Sequence, residues 1–510
     1  MDAQQLRKLK PMLAKYLSEY DDCFGRSEPA EHLRVYVNGQ LSDLPRKSIE
    51  PIADQADVPP RTLQQFLSRA GWDDALMADR LAEIVARDHA HPLSLGILDE
   101  TGHPKKGEKT PGVKPQGCGA THKVDNCVVT VHLGYVAGDF HTLIGSDLFL
   151  PEAWSNDRPR CREAGIPDEV VYRPKWQIAL ELRDWAVAHG VRLEWMTADE
   201  GYGETPAFHF ALDDRGQRYV LEVPSIFHGW LRRPAVLQKQ HHSSHKRGPK
   251  RRYPRLKAQN LPALEARNMV RYCKEFRKQR WVKFYIKDST LGPVVWEAKA
   301  APVWLKRDGL PTWPHWLIVA RNLLDPNEIK YFVSNAPAGT PLEVLLHVAF
   351  NRNHVEQCFE EEKGELGLDH FEVRNYPSLK RHLILTAVSH LFLAKVREKW
   401  RGEKSGPDGL PSPRGGRGAG AFAVADRAGA DDLPGEGSRD PHRDAAPQRE
   451  GPAQPCESPQ EAAAQEGHPA VVVTLLHNEP RGVVEHVMAL RRRDQGHVNG
   501  HSAPGVFTGG

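Results

Sequence analysis

Apolar residues divide the chain into three regions with different periodicities. Up to about residue 90 they recur every three or four positions, as in Leu9, Leu13 and Leu17, which is the spacing of a buried helical stripe. From residue 91 to residue 402, short apolar runs typical of buried strands alternate with helical segments. From residue 403 onward large apolar side chains are scarce. The pattern predicts an all-α region, an α/β region, and a disordered tail that cannot offset its ordering entropy by burial.

A pair of short helices is predicted within the first region. Residues 48–68 read as a helix, a break at Val58-Pro59-Pro60, and a second helix that begins with Arg61 and exposes Gln64. This spacing is typical of a helix-turn-helix, whose second helix reads DNA. The same spacing also occurs in small helical domains in which both helices only pack. DNA reading by Arg61 and Gln64 is therefore one of two interpretations.

Two buried strands, each expected to end in an aspartate, are predicted in the α/β region. Residues 93–99 form an apolar run that we expect to stop at Asp99, and residues 191–199 form a second run that stops at Asp199. A helix is predicted over residues 175–190. Strands linked in this way bring their carboxyl ends to one edge of a sheet, where sites form. In a segment such as Asp99-Glu100-Thr101-Gly102, the commoner role of the aspartate is to end a strand at a turn.

The acidic residue that would complete such a site lies on a helix. Residues 351–364 have helical spacing that puts Arg352, Glu356 and Lys363 on one face. Between the second aspartate and this helix, residues 280–334 contain four alternating or apolar runs, which predict a β-rich insertion. A charged helical face is usually only a solvated face, so the helix becomes informative in combination with the two aspartates.

Composition narrows the classes of protein. With 510 residues and 57.2 kDa, the chain is long enough for two to four domains, and a formal net charge of +3 neither demands nor excludes a nucleic-acid partner. The densest basic segment is a loop whose cations fit a polyanion, although it could also serve only solubility. These cations are Lys246, Arg247, Lys250, Arg251 and Arg252.

Cysteine usage and the terminus indicate the compartment. Seven scattered cysteines without a CxxC pair argue against a disulfide framework and a structural zinc site. No signal peptide and no run of eighteen apolar residues are present, so we expect a cytoplasmic protein without a membrane partner.

Three carboxylates in one cleft would suit hard divalent cations. Asp99, Asp199 and Glu356 could hold two Mg²⁺ ions roughly 3.5–4 Å apart, with Mn²⁺ as an acceptable substitute. One ion would activate an attacking water or 3′-hydroxyl, and the other would stabilise the leaving oxygen. Lys105 and Lys106, which follow Asp99, are well placed to touch a phosphate backbone.

These residues resemble a known family. The segments around Asp99, Asp199 and Glu356 are similar to the DDE superfamily endonucleases of bacterial insertion sequences, and in particular to the branch with a tyrosine-arginine-glutamate-lysine signature. In that signature the arginine precedes the glutamate by four residues and the lysine follows it by seven, as Arg352 and Lys363 do. The position of the tyrosine is occupied by Ala349.

The resemblance implies a fold and an activity. The fold would be a ribonuclease H-like core in two parts, residues 91–225 and 339–402, interrupted by a basic loop and β-rich insertion at residues 226–338. The activity would be Mg²⁺-dependent cleavage at terminal inverted repeats and strand transfer into target DNA, carried out by a homodimer. Arg352 and Lys363 would contact DNA phosphate.

Two other interpretations remain open at this point. One is a transposase-derived protein that binds the repeats without moving them, and the other is a different metal-dependent ribonuclease H-like nuclease. The tail does not resemble the basic ends of relatives, which is consistent with a shifted reading frame.

Overall fold

The N-terminal helices pack as the apolar periodicity predicts. The computed structural model describes residues 3–238, 253–258, 261–289 and 292–404. Five α-helices precede the first strand: α1 (Ala3–Leu17), α2 (Ser27–Gln40), α3 (Ile49–Gln55), α4 (Pro60–Ser68) and α5 (Asp74–Asp88). Leu9, Leu13 and Leu17 are buried, which confirms the predicted stripe. α3 and α4 are the two short helices predicted for residues 48–68.

A mixed sheet follows. Its first part consists of β1 (Leu95–Pro104), β2 (Lys114–Cys118), β3 (Lys123–Ala137) and β4 (Phe140–Leu148), then helices α6 (Glu152–Ser155), α7 (Arg158–Glu163) and α8 (Lys175–Ala188), then β5 (Trp195–Ala198), α9 (Glu200–Gly203), α10 (Pro206–Asp214) and β6 (Tyr219–Val223). β3 pairs antiparallel with β1, β2 and β4, whereas β5 pairs parallel with both β1 and β6. The strand order through the centre is therefore β4-β3-β1-β5-β6.

The predicted β-rich insertion extends the same sheet. It begins with the short strands β7 (His228–Gly229), β8 (Val236–Leu237), β9 (Arg255–Leu256) and β10 (Leu264–Glu265), helices α11 (Ala266–Tyr272) and α12 (Lys274–Arg277), and then β11 (Val282–Ser289), β12 (Gly292–Arg307), β13 (Leu310–Asn322) and β14 (Ile329–Ser334). β14 pairs antiparallel with β6, so the insertion and the centre share one ten-stranded sheet. The division of the chain at residues 90, 225, 338 and 402 stays a prediction.

The two faces of the sheet are covered by different helices. The last three helices are α13 (Leu342–Phe350), α14 (Asn353–Leu366) and α15 (Tyr376–Lys404). Residues of α13 and α14 pack in one hydrophobic cluster with Ile97 and Trp195, whereas Leu98 and Met196 belong to the other cluster, with α8 and α10. Because side chains alternate along a strand, odd and even positions of β1 and β5 face different helices.

The N-terminal helices are bonded to α15 through buried polar groups. The Tyr16 hydroxyl donates to the Val388 carbonyl at 2.9 Å, and Gln40 Nε2 donates to Thr386 Oγ1 at 2.8 Å. The Arg381 guanidinium donates to carbonyls at the carboxyl end of α4. The helical region and the sheet therefore share one continuous core. Among the described helices, none combines the length and apolarity that a membrane crossing requires.

Two sequence-based boundaries were wrong. β1 does not stop at Asp99 but continues to Pro104, because β3 keeps pairing with it as far as Cys127. Gly102 does not make a turn there. A Cβ at this glycine would lie 2.7 Å from Cys118 Sγ, so the glycine permits a close approach within the sheet. The second strand is shorter than the predicted residues 191–199 and covers Trp195–Ala198.

Candidate active site

The end of the parallel pairing brings the two aspartates side by side. Leu98 of β1 pairs with Ala198 of β5, and this is the last parallel pair between the two strands. Asp99 on β1 and Asp199, which directly follows β5, come next, and by alternation Asp99 faces α14 rather than α8. The two aspartates lie together because the parallel pairing of β1 with β5 ends just before them, although β1 itself continues to Pro104. Asp99 and Asp199 are the two residues that the sequence predicts for this edge, and their catalytic role stays a prediction.

A short helix fixes Asp199. Its carboxylate is the N-cap of α9 and accepts a hydrogen bond from the Tyr202 backbone N–H at 3.3 Å. Gly203, at the end of α9, lies against β6 so closely that a Cβ there would be 1.8 Å from the Glu222 carbonyl oxygen. The glycine therefore allows the helix to approach the sheet and hold Asp199 at the edge.

Arg352 links the third predicted acid to the first. It immediately precedes α14, and its Nη2 donates to Glu356 Oε1 at 2.9 Å, the predicted contact over one helical turn. Its Nη1 donates to Asp99 Oδ2 at 3.3 Å. Glu356 keeps a side-chain exposure of 54%, whereas that of Asp99 is 13%. The structure thus connects Glu356 to the aspartates through a guanidinium rather than by direct contact.

Burial and like charges shift the acids toward the protonated form. Burial, followed by the charge of Asp199, raises the pKa of Asp99 from 3.8 to about 7, although Arg352 opposes the shift. Burial and then the nearby Glu100 carboxylate raise the pKa of Asp199. Burial by itself would lower the pKa of Arg352, but the surrounding carboxylates, Asp99 first, outweigh it and raise that pKa. The site has more negative charge than one arginine satisfies, which favours an added cation.

Sequence reasoning missed a further carboxylate at this edge. Glu222 lies on β6, beside β5, and its Oε1 accepts from Lys330 Nζ at 2.9 Å. Its Oε2 is 4.0 Å from Arg352 Nε. The available signal was a single acidic residue near the end of the buried run Tyr-Val-Leu-Glu-Val at residues 219–223.

The lysines predicted to touch DNA differ in their surroundings. Lys363 Nζ donates to the Gly102 carbonyl at 3.2 Å, so α14 is tied to β1 on the side of the site. Lys105 Nζ donates at 2.7 Å to two backbone carbonyls, those of Asp369 and Phe371. Both amines are thus engaged within the chain, whereas Lys106 is exposed. Their contacts with DNA stay predictions.

The other predicted DNA contacts lie away from these acids or outside the described residues. Arg61 and Gln64 are exposed on α4, whose Leu63, Phe66 and Leu67 are buried, so the face predicted to read DNA is free of core contacts. The basic loop with Lys246, Arg247, Lys250, Arg251 and Arg252 lies outside the described residues, as does the tail from residue 405.

The donor set fits a hard divalent cation in kind. Asp99, Asp199 and Glu356 supply carboxylate oxygens, which Mg²⁺ and Mn²⁺ prefer. In the described part of the chain, however, no three His, Cys, Asp or Glu side chains are close enough to form a ready-made site. The contacts of Arg352 with Asp99 and Glu356 explain this for the predicted triad, because the guanidinium occupies the place between them.

Comparison with known proteins adds independent information. Residues 19–285, slightly more than half of the chain, match the family described as DDE superfamily endonuclease. This match includes Asp99 and Asp199 and ends before Glu356. The chain is also 26% identical over 372 residues to a protein of Microchaete diplosiphon named as the probable transposase for insertion sequence element IS701. That similarity covers 72% of this chain and 83% of the relative.

Proposed function

Because this chain belongs to the DDE superfamily endonucleases, we propose that it is the transposase of a bacterial insertion sequence. It cuts DNA at the terminal inverted repeats of its own element and joins the ends to target DNA. Its similarity to the probable transposase for an insertion sequence over most of both chains supports this assignment. The active form is a homodimer that holds two element ends together.

One observation carries the proposal. Asp99 and Asp199 lie side by side at the end of the parallel pairing, and Arg352 joins Asp99 to Glu356 on the helix that covers them. These residues are distant in sequence, and the fold brings their charged side chains together at one edge of the sheet. Burial and the neighbouring Asp199 raise the pKa of Asp99 to about 7, and shifts of this kind are frequent among the carboxyls of active sites.

The centre of the sheet is a ribonuclease H-like core in this proposal. Three antiparallel strands, β1, β3 and β4, are followed by two parallel strands, β5 and β6, on the opposite side of β1. This strand order supports the assignment, with Asp99 on β1 and Asp199 directly after β5. The strands β11–β14 are then an insertion that enters the chain after β6 and before α14.

The three acids would hold the metal. Asp99, Asp199 and Glu356 would hold Mg²⁺ or Mn²⁺, and the bound ions would supply activation of an attacking water or 3′-hydroxyl and charge stabilisation at the leaving oxygen. Asp99 lies on β1, Asp199 caps α9 directly after β5, and Glu356 lies on α14, so three different elements of the fold position the acids. Arg352 and Lys363 supply positive charge on the same side of α14, where they can bind the phosphate that is cut.

Cleavage of element ends tests the proposal. The purified protein, Mg²⁺ and a duplex carrying the terminal repeats should give strand breaks at the repeat boundary and, with target DNA, joined products. Asp199→Asn and Glu356→Gln should abolish both reactions while binding of the duplex persists. Asp139→Asn changes an exposed carboxylate in the β3–β4 turn and should leave cleavage unchanged. A wild-type protein that shifts the duplex but never cuts it, with any divalent ion, would refute the proposal.

A further inference from the structure

Glu222 stands in one row with the two aspartates. Leu98 pairs with Ala198, and Ala198 pairs with Leu221, so the residues that follow these three in the chain are Asp99, Asp199 and Glu222. Neighbouring strands are about 4.8 Å apart, and the alternation of side chains puts the Asp99 and Glu222 carboxylates on the face covered by α14, while Asp199 lies between these strands just beyond β5. The register of β1, β5 and β6 therefore brings Glu222 to the same edge of the sheet as the two aspartates.

The partners of Glu222 are both cations. Lys330 lies on the adjacent strand β14 and bonds Oε1 at 2.9 Å, while Arg352 Nε is 4.0 Å from Oε2. The Glu222 side chain is only 14% exposed. Burying a carboxylate is costly unless cations pair with it, and here one of these partners is the arginine of the site.

The contacts of Arg352 divide into two kinds. Those with Asp99 and Glu356 involve acids that the proposed function gives to the metal ions. Divalent ions and the guanidinium would compete for the same oxygens. The contact with Glu222 is different, because Glu222 already has a partner in Lys330 and is not part of the proposed triad. Glu222 is the carboxylate that can stay paired with Arg352 when Asp99 and Glu356 bind the metal ions.

We propose that Glu222 is a positioning residue that retains Arg352 beside the active site after Asp99 and Glu356 have bound metal. Lys330 fixes the Glu222 carboxylate from the other side. Arg352 then remains in reach of the DNA phosphate instead of turning to solvent. This inference rests on the proposed function, and Glu222 acts only through Arg352.

A double-mutant cycle tests this dependence. Single-turnover cleavage of end DNA at saturating Mg²⁺ is measured for Glu222→Gln, Arg352→Gln and the double variant. Loss of one charge-assisted contact should slow cleavage by roughly tenfold or more in each single variant. Because Glu222 acts through Arg352, the double variant should be no slower than Arg352→Gln. Multiplicative losses, or a Glu222→Gln protein as fast as the wild type, would overturn the inference.

Two further variants separate positioning from charge and from folding. Glu200→Gln removes the same charge from an exposed neighbour of Asp199 that has no ion pair with Arg352, and should change the rate less than about twofold. Glu222→Asp keeps the charge on a shorter side chain, which avoids a folding defect caused by an unpaired Lys330. Its smaller loss should also vanish in the Arg352→Gln background, and a loss that persists there would contradict the inference.

Metal binding without DNA gives a readout that does not need turnover. Mn²⁺ affinity, followed by electron paramagnetic resonance, should fall no more in Glu222→Gln than in Glu200→Gln. A much larger fall would make Glu222 a metal ligand and overturn its assignment as a positioning residue. If the wild type cleaves no DNA with any divalent ion, the proposed function itself fails, whatever the Mn²⁺ affinities are.

Discussion

Replacing Asp99 by asparagine should stabilise the metal-free protein at neutral and higher pH. The Asp99 carboxyl is buried beside Asp199, and burial together with this neighbour raises its pKa from 3.8 to about 7. Folding therefore resists ionisation of this group. Asparagine has nearly the same shape as the protonated acid and never ionises, so Asp99→Asn should remove the penalty.

The sign and the size of the effect follow from the pKa. Between pH 3.8 and about 7 the folded state binds more protons at Asp99 than the unfolded state, so stability is greatest at low pH and falls as pH rises through this window. At 1.36 kcal/mol per pKa unit, the full difference is about 4 kcal/mol. We expect a gain of about 2–4 kcal/mol at pH 8, since the amide fits less well than the protonated acid, and less than half of that at pH 5.

The assay is urea unfolding in the presence of a chelator, at pH 5 and pH 8, for the wild type and Asp99→Asn. Asp139→Asn changes an exposed carboxylate and serves as the matched control, with no expected gain. Mn²⁺ or Mg²⁺ should then stabilise the wild type and leave Asp99→Asn unaffected, because ligands stabilise only the state that binds them. Equal stabilities at pH 8, or a larger gain at pH 5 than at pH 8, would refute the reasoning.

Three further changes test other parts of the structure. Glu361→Gln should lower the free energy of unfolding by about 3 kcal/mol, because it removes a half-buried carboxylate 3.1 Å from the buried His390 ring. Burial lowers the pKa of His390, but its contacts with the Glu361 and Glu362 carboxylates raise it to about 9, so the wild type should lose stability from pH 6.5 to pH 9 and the variant less; parallel profiles would contradict this. Gly203→Ala should prevent folding or lower the free energy of unfolding by more than about 3 kcal/mol, since the added Cβ would lie 1.8 Å from a carbonyl oxygen of β6. In the control Gly364→Ala the added Cβ meets nothing within 4 Å, so thermal unfolding should show a gain in stability of up to about 1 kcal/mol. Arg381→Ala leaves carbonyls at the end of α4 without their donor, so hydrogen exchange should rise in α4 and not in the sheet; uniform exchange would argue against this local role.

Local patterns predicted most elements because helical and strand periodicities are properties of a few adjacent residues. The helix predicted for residues 175–190 is α8, and the four runs predicted between residues 280 and 334 are β11 to β14. The predicted helix around Glu356 is α14, and its contact with Arg352 follows from helical spacing alone. No distant part of the chain is needed for these predictions.

The boundary at Asp99 was wrong because strand length depends on a partner. Thr101-Gly102 has the composition of a turn, but β3 supplies pairing beyond it and Cys118 packs against the glycine. The sequence of residues 95–104 does not contain this information. The same holds for β5, which ends at Ala198 together with its pairing to β1 and β6.

The amino-acid sequence determined which side chains could form the site, since acid residues after apolar runs and a charged helical face are local features. Tertiary structure decided which of them meet. It aligned β1, β5 and β6 so that Glu222 joined the row of Asp99 and Asp199, and it inserted Arg352 among them. The physical reason is that the register of β1 with β5 and the packing of α14 on the sheet depend on contacts between residues 100 or more positions apart, which no local pattern encodes.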